Sequence, residues 1–176
     1  KIIASSDKLV GISIEFTGGL TINGGTFRLW DQGVTNAFYT NGKVITTFAS
    51  DVTNNGTFAL ENTGPANVTF SRNISGNGAV TSAGLVTLSG TNTYSGNTSV
   101  NSGTLSITQP YLADSSTVSI ASEAKLNLNF AGTDVVASLM IGGSPAGGGT
   151  WGATGSGAAG IDNTHFSGTG VLQVGA

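Results

Sequence analysis

Residues 98–107 read Thr-Ser-Val-Asn-Ser-Gly-Thr-Leu-Ser-Ile: an alternating run, an Asn-Ser-Gly corner, and a second alternating run. Varied forms of the phrase stand at 20–29 (LTINGGTFRL), 50–60 (SDVTNNGTFAL), 72–80 (RNISGNGAV) and 165–174 (HFSGTGVLQV). Period-two alternation puts one face of each run into a core. The corners Asn23-Gly24-Gly25, Asn54-Asn55-Gly56, Gly76-Asn77-Gly78 and Asn101-Ser102-Gly103 supply residues that tolerate positive φ. Asn-Gly between alternating runs is also a hairpin signal, so an antiparallel meander or sandwich is the first rival. Spacing decides against it. Gly25, Gly56, Gly78 and Gly103 follow one another at 31, 22 and 25 residues, and Gly103 and Gly170 are 67 apart. Intervals of roughly 20–30 residues suit one coil of a parallel β-helix, each corner stacked on the corner below. Roughly eight coils, each adding about 4.8 Å, make a rod on the order of 35–40 Å long.

The rest of the chain repeats the strand signal. Ile12, Ile14 and Phe16 alternate with polar residues, as do Phe58 and Leu60, Val68 and Phe70, Val86 and Leu88, Leu126, Leu128 and Phe130. No apolar stripe at helical spacing is sustained; the best helix candidate, 133–139, is short and β-branched at its centre. At 176 residues the chain reads as a single domain, 1–176. Two segments depart from the pattern. Residues 30–50 (WDQGVTNAFYTNGKVITTFAS) lengthen one coil to 31 residues and are expected to contain an extruded loop. Residues 142–160 hold nine glycines in nineteen positions and are expected to form a long loop or irregular coil.

Composition narrows the function. Only six Lys/Arg and nine Asp/Glu are present, for a net charge of −3, so no basic stripe exists for nucleic acid. No run of apolar residues is long enough for a membrane-spanning helix. The absence of cysteine excludes thiolate metal sites and a cysteine nucleophile. Few lysines, abundant Thr, Asn and Gly, and no Cys point to an exported bacterial surface protein. The chain starts at Lys1 with no leader-like stretch, as expected of a processed or excised piece.

Residues 85–107, LVTLSGTNTYSGNTSVNSGTLSI, closely resemble the autotransporter-associated β-strand repeat: Leu88, Gly90, Asn92, Thr93, Tyr94, Gly96, Thr98, Val100, Gly103, Thr104 and Leu105 occupy its pattern. The segment 149–172 also looks like the closing part of long bacterial surface proteins built from this repeat. The resemblance implies a right-handed parallel β-helix (β-solenoid) at the cell surface or secreted. It also implies that the repeat is scaffold, with no catalytic residues to carry over.

Because many parallel β-helices act on polysaccharides, catalysis was weighed. Hydrolysis needs two carboxylates held together, and a lyase needs carboxylates for Ca²⁺ beside a basic residue. The nine acids are dispersed; Glu61 and Asp31, one coil apart with Arg28 nearby, are the nearest approach to a pair. Charges that keep a β surface soluble explain them better. His165, the single histidine, follows Asp162 by three residues, but no second His and no nucleophile motif accompanies it. No catalytic residue, metal site or cofactor site is assigned.

Aromatic residues are better candidates for contact. Phe27 and Leu29 face inward by parity, leaving Arg28 and Trp30 outside, with Phe38 and Tyr39 following in the extruded loop. These four form a possible surface for sugar rings or a protein partner. The ends matter as well. No charged amphipathic helix caps either end, and unpaired strand groups template further strands, so head-to-tail pairing into a homopolymer is expected. The sequence thus reads as a non-catalytic extracellular filament, scaffold or stalk unit. A glycan- or host-binding adhesin fragment is the alternative, and a polysaccharide lyase or hydrolase a weaker one.

Overall fold

The computed structural model describes residues 13–16, 18–31, 38–40, 43–48, 50–65 and 67–175. Among them every regular element is a β-strand. Most strands pair in parallel with a strand about one repeat away, as a chain that returns again and again to the same place must do. One column of parallel pairs runs through Phe27, Phe58, Val80, Thr98, Val118 and Leu139, in steps of 31, 22, 18, 20 and 21 residues. A second runs through Val68, Val86, Leu105, Leu126 and Phe166. A third, shorter column joins Leu20, Val52 and Ile74.

The two longest strands, Ala79–Leu88 and Thr98–Ile107, traverse the first two columns. Val80, Ser82, Val86 and Leu88 point inward on one; Thr98, Val100, Leu105 and Ile107 do so on the other. The inward phase of the second strand changes parity between Val100 and Leu105. The cause is a bulge: Ser82 pairs with Val100 but Ala83 pairs with Ser102, leaving Asn101 as the extra, exposed residue. Inward side chains from all columns form one continuous apolar core, from Leu20 to Val174. Phe58 sits in it between Phe27, stacked at 6.2 Å, and Phe70, edge-on at 5.3 Å.

The corners hold by close approach. A Cβ on Gly56 would lie 2.5 Å from the carbonyl oxygen of Gly25, one on Gly78 2.4 Å from that of Gly56, and one on Gly96 2.2 Å from that of Gly78. The column of stacked corners is therefore Gly25, Gly56, Gly78 and Gly96. Gly103 belongs elsewhere: it pairs with Gly84, at the bend between the first two columns. The sequence spacing had aligned Gly103 with Gly78 because both follow an Asn two residues back or one residue back, and the bend imitates the corner in wording. The corner asparagines also do more than tolerate positive φ. Buried Asn54 accepts from the Gly56 N–H through Oδ1 (3.1 Å) and donates through Nδ2 to the Ala79 carbonyl of the next repeat (2.8 Å). Asn62 repeats the device on Gly64 and Leu85.

Both atypical segments form strands. Within 30–50, Thr26–Asp31, Phe38–Thr40 and Lys43–Phe48 make an antiparallel meander, with Trp30 opposite Tyr39 and Phe38 opposite Ile45. The excursion thus stays in the sheet where an extruded loop was expected; residues 32–37, 41–42 and 49 lie outside the described ones. Within 142–160, Gly149–Gly152 pairs antiparallel with Val171–Val174 and parallel with Gly160–Ile161, and Ser144–Pro145 turns back on Ser138–Ile141. Trp151 packs against the core and donates Nε1–H to the Gly147 carbonyl (2.9 Å), giving this glycine-rich stretch an anchor.

Candidate functional site: the outer face and the closing end

Each position of the 85–107 phrase has a mechanical role. Tyr94 is wholly buried, and its hydroxyl meets the buried Thr98 hydroxyl at 2.8 Å. Burial pushes the Tyr94 phenol far up, so it stays neutral. Asn92 Oδ1 accepts from the Ile74 N–H one repeat back (2.9 Å), a side chain standing in for a ladder bond. Gly90 and Gly96 lie against the Arg72 and Gly78 carbonyls, where a Cβ would approach to 2.2 Å. Leu88, Val100 and Leu105 fill the core. The repeat is built to stack, and its side chains are spent on that.

Of the four contact candidates, Arg28 is exposed, and its Nε lies 3.1 Å from Glu61 Oε1 on the neighbouring strand. Phe27 and Leu29 face the core on either side of it, as parity requires. Trp30, Phe38 and Tyr39 are placed by the backbone register given above; their side chains lie outside the described part. The structure thus brings Trp30 and Tyr39 opposite one another, and ties Arg28 to a carboxylate.

The acids that catalysis would need are spread apart and held. Glu61 faces Arg28. Asp51 accepts from Asn73 N–H and Nδ2 (3.0 and 3.3 Å), binding adjacent repeats on the outside. Asp134 is buried and accepts from the Tyr111 and Leu112 N–H groups through Oδ2, both at 3.1 Å. Burial pushes its carboxyl up to about 6, against the downward pull of the Leu112, Tyr111 and Val135 N–H groups. Its interior place was legible in outline, since Asp134 shares parity with the inward Val136. Among the described residues, no three of His, Cys, Asp and Glu gather as metal ligands. A shallow groove of about 210 Å³ runs along the outer side of three successive repeats, at Ser99, Asn101, Ser119 and Met140, and its lining holds no titratable group.

The most concentrated polar chemistry lies at the closing end. Asp162 Oδ1 accepts from the Thr164 and His165 N–H groups (2.9 and 3.1 Å), and its Oδ2 is 2.7 Å from His165 Nδ1. Partial burial works to raise the Asp162 carboxyl, but those hydrogen bonds and the His165 charge hold it below the usual carboxylate range. With no nucleophile beside the pair, this is a hydrogen-bonded turn.

Neither the curated proteins nor the solved structures contain a match to the chain. A family model for the passenger-associated-transport-repeat matches residues 13–29 and 80–107. The second stretch contains the bulged strand and the Tyr94–Thr98 pair, and the first begins the inward run that ends at Leu29. The chain therefore carries the passenger-associated transport repeat, a repeat of autotransporter passengers.

Proposed function

We propose that the chain is a non-catalytic structural segment of an exported bacterial surface protein, wound as a right-handed parallel β-helix and acting as a stalk or scaffold unit. The observation that carries the reading is the parallel register from Thr26–Asp31 through Ser138–Ile141, where every step adds a coil and no step opens a cleft. Autotransporter passengers are exported, which supports a secreted or surface-displayed location. Of the two structural forms, single stalk and head-to-tail filament, the antiparallel closure at Gly149–Gly152 favours the stalk. There the chain folds over the end that a second copy would extend, with short strands and Pro145 that blunt the edge.

Electron microscopy over a concentration series tests this. Elongated particles of constant length are expected; fibres that lengthen with concentration would restore the filament, and compact particles would end the stalk reading. A second reading, glycan or host binding, is favoured by the opposition of Trp30 and Tyr39 in a meander that departs from the parallel stack. Wild type and Trp30→Ala on a glycan array decide it: binding lost in the variant supports an adhesin, and no binding by either removes it.

A further inference from the structure

His165 stands between two acceptors. Its Nδ1 is 2.7 Å from Asp162 Oδ2, and its Nε2 is 3.2 Å from the carbonyl oxygen of Ser122, 43 residues earlier. An ionised carboxylate and a backbone carbonyl have no proton to give. A neutral imidazole carries one N–H, so one of its nitrogens would face an oxygen lone pair to lone pair. The imidazolium donates to both. The ring is largely covered, which limits what water can supply.

We propose that His165 is a proton-dependent latch that fastens the closing segment 160–168 onto the coil containing Ala124–Leu128. Two further ties cross the same seam: Leu126 N–H donates to the His165 carbonyl (2.8 Å), and Lys125 Nζ donates to the Asn163 carbonyl (2.9 Å). The charged neighbours are Asp162 on the latch's own turn and, on the coil beneath, Lys125 and the exposed Glu123. Asp162, held below the usual carboxylate range, stays ionised while the ring gains and loses its proton. Ala124–Leu128 pairs on one side with Gly103–Ile107 and on the other with Phe166–Gly168. Loosening the latch frees a parallel edge at the end of the stack, the kind of edge to which another strand adds. Mild acid shuts the end, and loss of the ring proton eases it.

Amide hydrogen exchange followed by NMR at pH 5 and pH 8, corrected for intrinsic rates, reads the latch at Leu126 and Phe166. In the wild type, protection at these amides is about tenfold greater at pH 5, the scale of one charge-assisted hydrogen bond. In His165→Gln the extra protection disappears. An equal pH dependence in both proteins overturns the proposal, and their comparison cancels other titrating groups. Should the variant fail to fold, the ¹³C shift of the Ser122 carbonyl in the wild type serves instead. It follows the titration of the chain's single histidine ring if the latch exists; a carbonyl shift that ignores that titration overturns it.

Discussion

The middle of the stack and its closing end are written in the same letters, Gly, Asn, Thr and Ser, and use them in opposite ways. From Gly56 to Gly103, glycines are placed where the next coil touches them: a Cβ on Gly84, whose φ is +81°, would lie 1.7 Å from the Asn62 carbonyl oxygen. In the closing end, Gly147 has nothing within 4 Å of where its Cβ would stand. Repetition makes glycine a spacer between backbones, and where repetition stops glycine becomes an ordinary turn residue. The sharpest way to break this contrast is a pair of alanines. Gly84→Ala must displace backbone in a φ region that disfavours side chains, and is expected to cost about 4 kcal/mol or more. Gly147→Ala should stay within about 0.5 kcal/mol of wild type. Urea denaturation of both checks it; similar costs would show that the two regions do not differ.

Asparagines divide the same way. Asn54 is fully buried and joins two repeats through both ends of its amide. Asn163 also uses both ends, on Thr154 N–H and Oγ1, but is exposed. Removing Asn54 leaves the buried Ala79 carbonyl without that donor, so Asn54→Ala should cost about 2–3 kcal/mol. Asn163→Ala exposes its former partners to water and should cost less than about 1 kcal/mol. Denaturation midpoints compared at equal slope separate the two.

What could be read in the sequence follows this division. Alternation identifies inward residues such as Val86, Leu88, Leu126 and Leu128 because a buried sheet face leaves a period-two trace in any chain. Which corner stacks on which is harder. Gly96 continues the Gly78 column, but the Asn101 bulge and the bend at Gly103 carry the more conspicuous Asn-x-Gly wording. Antiparallel closure was hidden altogether. In 142–160 the pairing rests on backbone groups and one indole anchor, and neither leaves a pattern in the side chains. The contact surface was legible only as far as Arg28, since parity gives its exposure but not its carboxylate partner across the register.

Acid separates the regions again, by a smaller amount. The buried Asp134 carboxyl, pushed up to about 6, binds its proton more tightly in the folded chain than in the unfolded one, where the usual value is 3.8. Between those values the native state holds more protons, so stability rises as pH falls from 7 toward 4 and is lost again as pH rises through 6. One unit is worth about 1.4 kcal/mol, which makes the full gain about 2–3 kcal/mol at most. Asp134→Asn should flatten this part of the stability profile while keeping an acceptor for the Tyr111 and Leu112 N–H groups. An unchanged profile in the variant would move the acid response to His165.

The smallest effect is expected on the outer face, where Arg28 and Glu61 join neighbouring strands. The guanidinium is 63% exposed and the carboxylate 29%, so water and salt compete for both charges. The pair also orders two long side chains, which offsets part of the Coulomb gain. Arg28→Ala should therefore lower stability by about 0.5 kcal/mol or less, and the difference should vanish in high salt. A double-mutant cycle with Glu61→Ala measures the coupling directly. A coupling above about 2 kcal/mol, insensitive to salt, would mean that this outer face binds repeat to repeat as firmly as the Asn54 corner does. Arg28 would then be a structural tie unavailable to a partner. A weak coupling leaves its guanidinium free to exchange Glu61 for an outside ligand, which is the condition any contact surface at this end of the stack has to meet.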